Sequence, residues 1–282
     1  MFPEHTISMT TRQPAAAGSF YPGDKVQLEA QNMSLLDRAR PESSGGTSVA
    51  LIAPHAGYQF SGLTAAYGYK LLIQHQFDSV VVISPSHREY FDGISVFNGE
   101  AYRTPIGTLA IDHELRNRLV EGERDIHTSY HGHREEHAIE VQLPFVQATL
   151  RQVTILPIVM GDQRRDYCYL LGEKLAAILK GTRSLVIAST DLSHYHPYAE
   201  AVALDRIVIE AIGKFDHEKL MDDLEAERVE ACGGGPTVAA LIAASKLGAN
   251  RIEILHHCNS GDVTGDYDRV VGYLSAIALR AN

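Results

Sequence analysis

Short apolar runs alternate with segments of helical spacing along most of this chain. Residues 49–53, the β-branched run at 79–83, and residues 153–159 and 185–188 are too short for helices and predict buried strands. Pro157 blurs the end of the third run, because proline cannot donate to a ladder. Residues 252–255 and 270–277 predict two closing strands. Apolar positions three and four apart predict helices over 26–39, 62–72, 109–120, 137–150, 166–179, 198–212 and 237–247. Residues 1–48 otherwise predict an irregular arm, turn-rich at 18–24 and exposed at 41–47, where glycine, proline and serine cluster. Strands alternating with helices predict an α/β fold, with a mostly parallel or mixed sheet covered on both faces. There is no internal repeat or sharp shift of composition, so residues 1–282 read as a single domain with the arm packed on it.

Composition narrows the function classes. The chain has 282 residues, 45% of them hydrophobic, which is enough to bury a large core. A formal net charge of −10 argues against a nucleic-acid partner, since phosphate binding needs a basic surface. No apolar stretch reaches the roughly 18 residues that a membrane span requires. The first ten residues lack the order of a signal peptide, so the expected location is cytoplasmic. Cys168, Cys232 and Cys258 are three cysteines without a CxxC, which fits neither a disulfide framework nor a zinc finger.

The 14 histidines change the picture through their placement. Three predicted strands run straight into polar loops with imidazole: ALIAPHAGY carries His55, VVVISPSHREY carries His87, and LVIASTDLSHYH carries Asp191 and His194. Any one of these histidines alone reads at least as well as a hydrogen-bonding loop residue. Ligands of open α/β sheets bind beyond the carboxyl ends of the strands, so three parallel neighbours would bring these loops together.

Cys232 sits in EACGGGPTVAAL, just before a helix that proline can start. A thiol there is biased toward thiolate, the form that binds metals, although a small buried cysteine beside a tight turn fits the pattern too. His55, His87 and Cys232 form a credible ligand set for a transition metal, with a position left open for water or substrate. His194 is then placed to move protons, and Asp191 to orient a ligand or water. His137, in HGHREEHAIEVQLPF, opens a helix and is the residue of that stretch expected to reach the site, while His131 and His133 read as solvated loop. The stretch is not HExxH, so it carries no zincin signature. His256, His257 and Cys258 form a second dense cluster that can compete with Cys232 for the metal. Asp262 and Asp266 read as turn residues, and Cys168 as core. The chemical rival is a cysteine hydrolase built on Cys232, His194 and Asp191, with a zinc hydrolase beside it. The cysteine version leaves His55 and His87 without a task.

Taken together, RQPAAAGSFYPGD, APHAGYQFSG, SPSHREY, REEHAIEVQLPF, STDLSHY, ACGGGPT and SGDVTGDYDRVVGY resemble the Memo family in order, spacing and wording. The resemblance runs from about Arg12 to Leu279. It implies a three-layer α/β sandwich like that of the LigB-type extradiol dioxygenases. It also implies metal ligands at His55, His87 and Cys232, with Asp191, His194 and His137 beside them. Those dioxygenases hold non-haem iron on two histidines and a carboxylate, whose place Cys232 would take. A thiolate donates more charge and is oxidisable, so redox chemistry or metal handling stands beside dioxygenation. The implied cofactor is iron first, then copper or zinc. The implied partners are a small molecule or peptide in the pocket, and the AMMECR-type and radical SAM proteins of the system to which prokaryotic members are assigned. A non-catalytic binding module using the same pocket is the alternative.

Overall fold

The computed structural model describes residues 11–42 and 45–281. The predicted loop at 41–47 therefore falls partly outside the described residues. The chain enters through β1 (Thr11–Arg12), a tight turn and α1 (Lys25–Arg38), which Asp24 caps by accepting the Gln27 N–H. Then follow β2 (Thr47–Ala53), α2 (Tyr58–Leu72), β3 (Ser79–Pro85), β4 (Ile94–Phe97), β5 (Ala101–Thr104) and β6 (Gly107–Ala110). The middle of the chain gives α3 (His113–Val120), β7 (Ile126–Ser129), α4 (His137–Glu140), α5 (Leu143–Thr149), β8 (Thr154–Met160), α6 (Arg165–Leu179) and β9 (Ser184–Ser189). The last third gives β10 (His194–His196), α7 (Tyr198–Gly213), α8 (His217–Glu225), α9 (Gly234–Lys246), β11 (Arg251–Asn259), α10 (Ser260–Thr264) and β12 (Val270–Arg280).

Nine of these strands form one mixed sheet with the order β10-β12-β2-β9-β3-β8-β4-β7, and β11 also pairs with β12. Its centre, β2-β9-β3-β8, is parallel. The flanking pairs β2–β12 and β8–β4 are antiparallel. A period of two sorts side chains to the two faces of a strand. In β3, Val81 and Ile83 join the apolar layer under α6 and α9, whereas Val80 and Val82 join the layer under α1, α2 and α5. The central strands are buried on both faces, which is why they read as unbroken apolar runs. The result is the expected three-layer α/β architecture: helices, mixed sheet, helices.

Two predicted helices differ from what forms. Over 109–120 the chain first completes β6, and α3 begins only where Asp112 caps it by accepting the Leu115 N–H. Over 137–150 the helix is broken between α4 and α5, and Pro144 lies in the first turn of the second piece. β8 runs through Pro157 to Met160, and β4 pairs with it only from Ile158 onward.

Candidate metal centre

In the parallel stack β2 and β3 flank β9, so the loops after all three leave the same sheet edge. They carry His55, His87, and Asp191 with His194. The first turn of α4 adds His137. One ring nitrogen from each of His55, His87 and His137 lies within 4.8 Å of the other two, a group that could hold a metal ion. The rings meet edge-on or tilted, with centroids 5.1 Å apart for His55–His87, 5.3 Å for His55–His137 and 4.7 Å for His87–His137.

Neighbouring groups decide which nitrogen each ring offers. The Ser189 hydroxyl donates its one proton to the Ala138 carbonyl (2.7 Å) and accepts from Gln142 Nε2 (2.8 Å). Gln142 is itself oriented by the Tyr69 hydroxyl, which donates to its Oε1 (2.8 Å). Ser189 Oγ can therefore only accept from His55 Nδ1, 3.0 Å away, so His55 carries its proton on Nδ1 and leaves Nε2 free. Glu136 likewise fixes the His87 ring, with a proton on Nδ1. Its Oε1 accepts from His87 Nδ1 (2.9 Å) and Ala138 N (2.9 Å), and its Oε2 accepts from His87 N (2.6 Å). Such outer partners fix tautomer and ring orientation at metal sites. His137 Nδ1 is buried 3.3 Å from Glu136 Oε1 but makes no hydrogen bond.

Burial disfavours charge on two of these rings. It pushes His55 down to about 3, helped by the nearby His87, and His137 down to about 4, helped by His55. Neutral imidazole is the form that binds a metal. Burial also pushes the Glu136 carboxyl up, but the hydrogen bonds and charge of His87 outweigh it and hold it at about 2.

Cys232 lies against the cluster, its Sγ 3.1 Å from His55 Nε2, and it accepts the Asp191 N–H at 3.2 Å. Its loop passes close to the end of β9 because residue 233 is glycine: a Cβ there would sit 2.2 Å from the Ser189 carbonyl oxygen. The expected bias toward thiolate is reversed, because burial and the charge of Asp191 push this thiol up. With no proton on His55 Nε2, the thiol donates to the ring. Asp191 is buried, accepts the His55 N–H at 2.8 Å, and is pushed up by that burial. His194 faces the same cavity, of about 560 Å³, with Phe20, Phe60 and Tyr273. Phe20 stands 4.4 Å from His137, ring centre to ring centre.

Several expectations are redrawn. His133 is fully buried rather than solvated, accepting from the Tyr102 hydroxyl (2.6 Å) and bonded to the Ser95 carbonyl (3.1 Å). His131 is exposed as expected. His256 and Cys258 both bond Thr64 Oγ1, at 3.0 and 3.1 Å, and His256 stacks on Tyr67, so neither joins the three-histidine group. His257 is exposed. Cys168 is core, where burial pushes its thiol up to about 12. Cys232 pairs with His55 and not with His194, which removes the base expected of the hydrolase arrangement. Glu136, Ser189 and Gln142 were not foreseen, although Glu136 directly precedes His137 in the sequence.

Comparison with known proteins settles the family. The Memo-like protein family matches residues 12–277. The chain belongs to the Memo family. A MEMO1 family protein of Methanosarcina acetivorans is 39% identical over 274 residues, covering 95% of this chain and 99% of its own. One from Methanopyrus kandleri is 36% identical over 280 residues, with 95% and 99% covered. Among solved structures, an uncharacterized protein of Escherichia coli K12 is similar in fold, with a TM-score of 0.57 and 17% identity over 82% of this chain and 100% of that one. None of the described helices is long and apolar enough to cross a membrane.

Proposed function

We propose that this Memo-family chain holds one transition-metal ion on His55, His87 and His137, with Cys232 as a further donor, and that it acts on a small substrate in the adjoining cavity. The reading rests on one observation: three imidazoles converge, His55 and His87 each with a proton held on Nδ1 by an outer acceptor and His137 with a buried nitrogen lacking a hydrogen-bond partner. Neutral nitrogen donors suit iron, copper and zinc, and an adjacent thiol favours the softer and redox-active end of that series. Iron is the first assignment and copper the second. When bound, such an ion supplies Lewis acidity and electron transfer, which fits redox or dioxygenase-like chemistry.

The chain's own residues do the rest. Glu136 and Ser189 aim the His87 and His55 rings. Asp191 is held by the His55 N–H and is positioned to orient substrate or water. His194, on the cavity wall, moves a proton to or from the substrate. Phe20 and Phe60 exclude water from the histidine side. Hydrolysis by Cys232 is the weaker reading, because a thiol pushed up beside an imidazole pushed down remains a neutral pair rather than an activated thiolate.

Metal analysis of anaerobically purified protein tests the proposal. One iron or copper per chain is expected, lost in His55→Ala and His137→Ala. Protein that carries no metal and takes up none on titration would contradict it. Metal uptake by the wild type should also release about one proton more than uptake by Cys232→Ala, because a coordinating thiol must lose its proton. Equal release would remove Cys232 from the ligand set.

A further inference from the structure

The pairing of β10 with β12 is irregular at one place. His194 stands opposite Val271 and His196 opposite Val270, so Tyr195 is bulged out between them. Its backbone is left-handed, with φ of 63°, a conformation uncommon for a bulky side chain. Bulges next to active sites re-aim side chains. Here the Tyr195 ring projects at the cavity mouth, 61% exposed, with the Arg269 guanidinium 5.1 Å from its centre. Arg269 immediately precedes β12, so the same register that bulges Tyr195 sets the two side chains together. Both line the cavity whose other wall holds His55, His87 and His137.

This stacking on Tyr195 is the contact that Arg269 makes among the described residues, and it leaves the guanidinium fork without a carboxylate. That is notable in a chain with 25 basic and 35 acidic residues. Two acids line the same cavity. Asp191 is tied to the His55 N–H (2.8 Å), and Asp266 accepts the Asp268 N–H (3.1 Å). We propose that Arg269, steadied on Tyr195, is a specificity residue that binds the carboxylate of a small organic acid, whose apolar body lies against Phe20 and Phe60 and whose far end reaches the three histidines. Arginine's planar fork matches a carboxylate with two parallel hydrogen bonds. Asp266 and Asp191 disfavour a dianion in this cavity more than a monoanion, which selects a carboxylate over a phosphate monoester. The inference takes the cavity as the substrate site of the proposed function, but it does not depend on the metal.

Calorimetric titration of metal-loaded and metal-free protein with phenylacetate, phenylacetamide and phenyl phosphate tests it, together with metal analysis of each sample. Phenylacetate should bind wild type about tenfold more tightly than its neutral amide, the scale of one hydrogen-bonded charge. The difference should vanish in Arg269→Gln and return only partly in Arg269→Lys, with metal content unchanged in both variants. Equal binding of acid and amide, no binding of phenylacetate, a difference that survives Arg269→Gln, or a preference for phenyl phosphate would each overturn it. Protein that takes up no metal under any loading condition, yet keeps the acid-over-amide difference, would sink the metal reading alone. Metal-bearing protein without that difference would sink the subsite alone.

Discussion

Glu136→Gln removes the group that aims His87. The Glu136 carboxyl is held at about 2, so it is ionised at any working pH and the substitution removes a real charge. Three N–H donors point at its two oxygens: His87 Nδ1 and Ala138 N at Oε1, and His87 N at Oε2. An amide has one accepting oxygen. In the less costly orientation that oxygen keeps the two donors at Oε1, and the new NH2 faces the His87 N–H. One buried donor then goes unsatisfied, at a cost of about 1–3 kcal/mol in stability. In the other orientation the amide donates to His87 Nδ1 and moves the ring proton to Nε2, the nitrogen needed by a metal. Loss of such an orienting partner lowers metal affinity roughly 10–100-fold. Chelator competition measures the affinity and urea unfolding measures the stability, with the exposed neighbour Glu135→Gln as the control. Wild-type metal affinity in Glu136→Gln would refute the claim that Glu136 orients His87 for metal.

The arm should matter as much as the loops. Arg12 donates to Glu140 and to the carbonyls of His133 and Glu136, so Arg12→Met leaves Glu140 short of its countercharge just behind His137. A loss of about 3–5 kcal/mol in urea unfolding is expected, and an unchanged midpoint would contradict it. Gly233→Ala forces a Cβ onto the Ser189 carbonyl and should cost about 1–3 kcal/mol, the scale of overpacking; a stability equal to wild type would show that the loop yields freely. Burial pushes His55 and His133 down to about 3 and His137 to about 4, against about 6.5 in the unfolded chain. Between those values the unfolded chain binds more protons. The metal-free protein should therefore keep this stability above about pH 6.5 and lose it as the pH falls toward 4. A urea midpoint that stays flat from pH 7 to pH 5 would count against the buried neutral rings.

The central strands were legible because burial on both faces leaves an unbroken apolar run, and the convergence of His55, His87, Asp191 and His194 followed from their parallel order. What the sequence hid depends on partners distant in the chain. β6 looked like the start of a helix because Ile111, Leu115 and Leu119 just beyond it repeat every fourth residue, and only its pairing with β5 decides. His133 looked like a loop residue because Tyr102 and the Ser95 carbonyl, which satisfy it indoors, lie 31 and 38 positions away. Nothing local singles out Glu136, because His87, which draws it inward, lies 49 positions away. The thiol of Cys232 reads as activated by its place before a helix, but burial and Asp191 outweigh that local effect.

Diffraction from crystals of anaerobically purified protein, recorded on both sides of the iron, copper and zinc absorption edges, tests the central claim most directly. The account predicts one anomalous peak per chain in contact with ring nitrogens of His55, His87 and His137. A metal found at His256 and Cys258 instead, or no peak in protein soaked with each metal, would contradict it.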